Sequence, residues 1–246
     1  MKKILCLFGA LTLLLNSCSS DDSSSDSSDL VLLKKTIITD SDGEKVTTIY
    51  KYDGNKIVSA VDDSGDTGLY YTYTGDLITK IEFKYPDGTI DQINTFSYNA
   101  EGKLTTFVRV EPNIDWGHKE VYTYNTDGTI LVKSYSGDSK TQTGGGVTST
   151  IKFVDGEVSE IVAITANQPD HKYTYDNKNN PAKNILGMDK IAFADGEGSG
   201  VKFNILTDTA DGDLWTKSTF TYNDQGYPTK EVDKGSESLG TIEYFY

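Results

Sequence analysis

A repeat constrains this chain more than any other feature. An aromatic–x–aromatic triplet, a short polar turn with Gly and an apolar residue recur from residue 30 onward. The unit is Tyr50-Lys51-Tyr52-Asp53-Gly54-Asn55-Lys56-Ile57, then Tyr71-Thr72-Tyr73-Thr74-Gly75-Asp76-Leu77. It returns as Phe96-Ser97-Tyr98 with Gly102 and Leu104, and as Tyr122-Thr123-Tyr124 with Gly128 and Ile130. Later copies start at Ile151-Lys152-Phe153, Tyr173-Thr174-Tyr175 and Phe220-Thr221-Tyr222. The second aromatics fall at 52, 73, 98, 124, 153, 175 and 222. A step of roughly 25 residues suits two strands and two turns, so each copy is one β-hairpin. The last step, 47, is about twice the others and suggests a decayed copy between Tyr175 and Tyr222.

Period-two patterning agrees with strands. Leu77, Thr79, Ile81, Phe83 and Tyr85 form one face, with Ile78 out of place among Lys80, Glu82 and Lys84. Leu104, Thr106, Val108 and Val110 oppose Thr105, Phe107 and Arg109. Pro86-Asp87-Gly88, Asp127-Gly128 and Asp155-Gly156 supply hairpin turns, where Gly accepts a positive φ. The expected fold is all-β: a single large antiparallel meander of about 12–14 strands, curled or closed into a barrel, because open sheets seldom exceed about ten strands. Helix is expected at most in Asn180–Lys190, with Pro181 in its first turn. Long loops are expected at Pro112–Lys119, Asp138–Gly146 and Ala194–Gly200. Gly144-Gly145-Gly146 lacks the Gly-Lys-Ser/Thr ending of a phosphate loop and reads as loop.

The N-terminus divides the chain into three parts. Residues 1–17 form a signal peptide: Lys2 and Lys3 precede an apolar run, Ile4–Leu15, too short to span a bilayer. Leu15-Asn16-Ser17-Cys18 resembles a bacterial lipobox, which implies acylation of Cys18; an ordinary secretory signal with an incidental Cys is the alternative. Residues 18–29 are that Cys and a run of Ser and Asp only, a solvated tether with a reach of roughly 35 Å at ~3.4 Å per residue. Residues 30–246 are the β domain. The early Asp21 and Asp22 resemble the surface-export signal of Bacteroidota lipoproteins, which implies an outer-membrane anchor facing the cell exterior. Cleavage would remove Cys6, leaving no Cys for an internal disulfide.

Composition narrows function by exclusion. The net charge is −14 and Arg109 is the sole arginine, so nucleic-acid binding is not expected. With 36% hydrophobic residues the chain is no helical membrane bundle. No nucleophile elbow, cofactor motif or metal-ligand spacing stands out, and the two His, His118 and His171, lie far apart. Asp40–Glu44 and Asp62–Asp66 look faintly like calcium loops but lack the distal Glu, so they read as turns. Trp116 beside His118, and Trp215, are candidate ligand-binding residues, since an indole face can stack on a sugar. They can equally plug one end of the sheet.

The repeat resembles the tyrosine–aspartate (Rhs-type) repeats of bacterial surface proteins. With the lipobox, the Ser/Asp tether and the stretches 172–187 and 220–233, the whole chain resembles a family of Bacteroidota lipoproteins described as porin-like in fold. That resemblance implies a β barrel, an envelope location and no established activity. The expectation is a non-catalytic, monomeric surface binding or structural module, with a glycan or envelope protein as partner. The alternative is a membrane-inserted outer-membrane barrel, for which the aromatic end Tyr244-Phe245-Tyr246 speaks.

Overall fold

A computed structural model describes residues 30–234 and 240–246. The N-terminal expectations, Cys18 among them, lie outside the described residues. Val31–Tyr246 is one compact unit. Its strands in chain order are β1 Lys35–Thr39, β2 Lys45–Asp53, β3 Lys56–Asp62, β4 Gly68–Thr74, β5 Leu77–Lys84, β6 Ile90–Tyr98, β7 Leu104–Glu111 and β8 Trp116–Tyr124. They continue as β9 Ile130–Gly137, β10 Gln142–Val154, β11 Glu157–Ala163, β12 His171–Tyr175, β13 Ile205–Ala210, β14 Asp213–Tyr222, β15 Pro228–Asp233 and β16 Thr241–Phe245. Each pairs antiparallel with its neighbours in sequence, and β1 pairs with β16 to close the barrel. Closure removes the unpaired sheet edges that an open meander would present.

The barrel has 16 strands, not 12–14, and the repeat explains the number. Its eight copies are the ends of the even-numbered strands. The eighth is Tyr244-Phe245-Tyr246, the aromatic end of the chain. No copy has decayed between Tyr175 and Tyr222. The long step holds an insert, residues 176–204, between β12 and β13. The expected helix at Asn180–Lys190 is only one turn, α1 Met188–Ile191. Two expected loops are about half strand: β8 begins at Trp116, and β10 takes in Gly144–Gly146. Asp40 is a turn residue, its side chain accepting the amides of Asp42 and Glu44.

Within each copy the outer two residues face the lumen and the middle one faces out. Lys51, Thr72, Ser97, Thr123, Lys152, Thr174 and Thr221 are exposed accordingly. A β-bulge sits beside the second aromatic in most hairpins, for example between Thr72 and Tyr73 and between Ser97 and Tyr98. The extra residue lies on the following strand, and where it is Thr or Ser its hydroxyl caps a cross-strand carbonyl. Thr79 donates to Thr72 O (3.3 Å), Thr105 to Ser97 O (3.1 Å) and Thr229 to Thr221 O (3.2 Å). The bulge shifts the phase of alternation by one residue. That is why Ile78, out of place in strict alternation, is fully buried together with Ile81. It also puts Leu104 and Phe107 on the same, inward face.

The second tyrosine of several copies is tied to the hairpin before it. The Tyr98 hydroxyl donates to Ile78 O (2.5 Å), Tyr124 to Leu104 O (3.0 Å) and Tyr175 to Val158 O (2.7 Å). An aromatic wall residue thus carries a hydroxyl whose partner is a carbonyl at the bulge. Tyr98→Phe is expected to lower the unfolding free energy by about 1 kcal/mol, because it deletes one hydrogen bond and leaves a buried carbonyl short of a partner. Urea unfolding followed by circular dichroism checks this; no measurable loss would mean that water replaces the hydroxyl.

Candidate functional site

Barrels of 16–18 strands in porins enclose an aqueous channel. Here much of the lumen holds side chains. Phe96, Phe107, Tyr122, Val132 and Ile151 from the walls form one core with Phe193 of the insert. The Phe193 ring meets Tyr122 and Phe153 edge-on, at 5.5 and 5.8 Å between centroids. The insert is held at separate points around the wall. The Leu186 amide donates to Asn55 O (3.0 Å), and Tyr73 donates to Leu186 O (3.0 Å). Asn184 Nδ2 donates to the Tyr227 hydroxyl (2.9 Å). Gly187 lies so close to the wall that a Cβ there would stand 3.0 Å from Asp76 O, and its φ of 80° is a glycine conformation. Two carboxylates anchor the ends of the insert. Asp176 accepts from the Tyr222 hydroxyl and from Asn204, and buried Glu157 accepts the amides of Val201, Lys202 and Phe203.

The sequence candidates separate into two groups beside the insert. Trp116 and His118 are strand residues of β8, not loop residues, and their rings stack at 6.1 Å. The Arg109 guanidinium lies 4.8 Å from the Trp116 ring and donates to Asp195 Oδ2 at 2.6 Å. His118 Nε2 is 3.4 Å from Glu120 Oε1, and the Asp195 amide donates to Glu120 Oε2 at 2.8 Å. Trp215 is 54% exposed and meets His171 edge-on at 5.6 Å, while His171 Nδ1 is 3.2 Å from Asp208. The sole arginine therefore works as a clamp on the insert, with Trp116 as its platform. The sequence carried one hint of this, since Arg109 shares the Phe107 face.

Charge around this clamp is unbalanced. Burial raises the Asp195 carboxyl above the usual carboxylate range, although Arg109 pulls it down and Glu120 adds to the rise. Burial, with Asp195 nearby, also raises Glu197. A raised carboxyl pKa means that the folded chain holds a proton the unfolded chain has already lost. The contribution of both groups to stability thus falls as pH rises from their ordinary values through their raised ones. Among the described residues no three His, Cys, Asp or Glu side chains group as metal ligands.

A cavity of about 640 Å³ opens on the other side of the insert, within β13–β16 and β1. Ile38, Phe220, Ile242 and Tyr244 wall it, and Asn180, Pro181 and Asn204 of the insert close one side. Glu231 faces it from β15, held by the hydroxyls of Ser218 (2.6 Å) and Tyr244 (2.5 Å). The sequence pointed to none of these as ligand-binding residues, because Ile38 meets Ile242 and Tyr244 only when β16 closes on β1.

The outer face is polar across the middle of the sheet. One cross-strand row runs Thr72, Lys80, Thr95, Val108 and Lys119 from β4 to β8. Another runs Lys152, Glu160, Lys172 and Thr209 from β10 to β13. Lys152 pairs with Glu160 at 2.7 Å, and Glu82 takes both Lys80 and Lys84 at 3.0 Å. Exposed apolar residues are interspersed among these, including Val58, Val121, Leu214 and Phe245, and Ile49, Val61 and Tyr70 form one short strip.

No family model and no curated protein matches the chain. Among solved structures, a porin-like protein from Bacteroides vulgatus ATCC 8482 aligns with 87% of this chain and 98% of its own. The TM-score is 0.54 at 17% identity. A porin-like protein from Bacteroides uniformis ATCC 8492 aligns with 87% of this chain and 97% of its own, with a TM-score of 0.47 at 15% identity. The chain therefore has a porin-like fold: an all-β, closed antiparallel barrel of 16 strands.

Proposed function

We propose that this chain is a non-catalytic, lipid-anchored binding module of the outer membrane, exposed to the cell exterior. Its barrel stands in water, held by acylated Cys18 through the Ser/Asp tether, and works as a monomer. The observation that carries this reading is the sorting of the two faces. The inner face is aromatic and packed; the outer face bears lysines and threonines across its middle rows. A lipid-spanning barrel needs the reverse, an apolar band outside. Each outward lysine at mid-depth, such as Lys80, Lys119 or Lys172, would cost about 2–4 kcal/mol in a bilayer.

The binding role rests on the cavity rather than on Trp116. Arg109 and His118 already lie against the Trp116 ring, so a sugar would have to displace them. A pocket of about 640 Å³ with apolar walls and a few polar groups has the form of a small-molecule site.

The chain from Ser19 onward, without an acyl group, is expected to elute from size exclusion as one monomeric peak in detergent-free buffer. Its far-UV circular dichroism should be that of a β protein. Aggregation that only detergent or lipid rescues into β structure would overturn the tethered module in favour of a membrane-inserted barrel.

A further inference from the structure

We propose that the cavity between the insert and β13–β16 binds a small organic cation with an apolar body, such as an alkyl or aryl amine. This deepens the binding role proposed above and rests on it. The walls supply the apolar half of the recognition: Ile38, Ile242, Phe220 and Tyr244 line a space of about 640 Å³. The charge supplies the other half. Asp40 and Glu231 line the same space, and no Lys, Arg or His is among its described lining residues.

Several carboxylates of this barrel are placed beside cations, while Glu157 and Asp176 are satisfied by neutral donors of the insert and of Tyr222. Glu82 and Glu160 on the outer face each lie within ion-pair distance of two lysines, and lumenal Asp195 takes Arg109. Among the described residues Glu231 has no such cation. Its oxygens are oriented by two neutral hydroxyls, Ser218 on Oε1 and Tyr244 on Oε2. A partly buried carboxylate with neutral donors and no counter-charge favours a cation over an anion of the same shape, since an anion would add like-charge repulsion. Aromatic rings among the lining residues, Phe220 and Tyr244, suit the same sign of ligand. Protonated octylamine thus matches both features, whereas octanoate matches only the walls.

The test is calorimetric titration of the chain from Ser19 onward, whose barrel is a compact unit, with octylamine and with octanoate in detergent-free buffer. Octylamine is expected to bind at least about tenfold more tightly than octanoate, a difference of ~1.4 kcal/mol. Glu231→Gln should remove most of that preference. Thr216→Phe, which fills the cavity from β14, should abolish binding of both probes. Glu243→Gln, on the outer face, should leave the titration unchanged. Circular dichroism of each variant in the same buffer separates a lost site from a lost fold. Equal binding of the two probes, no binding of octylamine, or octylamine binding unmoved by both Glu231→Gln and Thr216→Phe would overturn the proposal. A folded, soluble barrel with any of those outcomes would leave the tethered-module reading standing. A barrel that folds only in detergent would overturn that reading, and this one with it.

Discussion

Glu157→Ala is expected to lower the unfolding free energy by about 3–5 kcal/mol, read from the urea midpoint at constant slope. The carboxylate is 3% exposed and accepts amides from three successive residues, Val201, Lys202 and Phe203, at 3.1, 2.5 and 3.0 Å. Alanine would leave these amides without their acceptor, buried Val201 among them, and each group stranded away from water costs about 1–3 kcal/mol. Glu157→Gln keeps one carbonyl acceptor and should cost distinctly less. Amide exchange at Val201 and Phe203 should quicken in the alanine variant before the strands of β6–β8 respond, because the damage begins at the end of the insert. A loss below about 1 kcal/mol would mean that this end of the insert is not held by the carboxylate.

Phe193→Ala should destabilise the barrel by about 3–4 kcal/mol, a value typical of a large aromatic lost from a core. Phe193 comes from the insert, yet it is 7% exposed and packs on Tyr122 and Phe153 across the lumen. Removing it opens a void between walls that a closed sheet cannot bring together, so the site cannot collapse to reduce the cost. Thermal unfolding of this variant should be compared with Trp215→Ala. Trp215 is 54% exposed, and its replacement should shift stability by no more than about 1 kcal/mol. Equal, small effects of the two would show that the insert lies in the lumen without being part of its core.

The pairing of aromatic triplet and Gly turn marks the hairpins in the sequence itself, because Tyr and Phe at alternate positions, followed by a residue at positive φ, suit little else. Counting strands from it failed at two places. The step of 47 looked like a lost hairpin but holds an insert, since a spacing does not say what fills it. Tyr244-Phe245-Tyr246 was not counted as a copy because it lacks the Gly turn that marks the others. Strict alternation also misplaced Ile78 and split Leu104 from Phe107. A bulge flips the phase midway along a strand, and its Thr or Ser is not distinctive in sequence.

The candidate site was legible only in fragments. Trp116 and His118 do lie together, but strand register, not loop position, brings them beside Arg109. Asp195, which completes that group, comes from a segment 86 residues away. The cavity residues are still more dispersed: Ile38 from β1 meets Ile242 from β16 only across the closing seam.

By itself, the sequence determined the hairpin as the building unit, the antiparallel order and the acidic, arginine-poor character of the chain. These follow from local chemistry: alternation, turn residues and charge do not depend on distant partners. Only the tertiary structure decided that the sheet closes at 16 strands, that the insert packs the lumen, and that the lysine rows face outward while a carboxylate-lined cavity remains inside. Each of those depends on which strand lies beside which and in what register. That is set by packing between residues far apart in the chain, and a local pattern does not carry it.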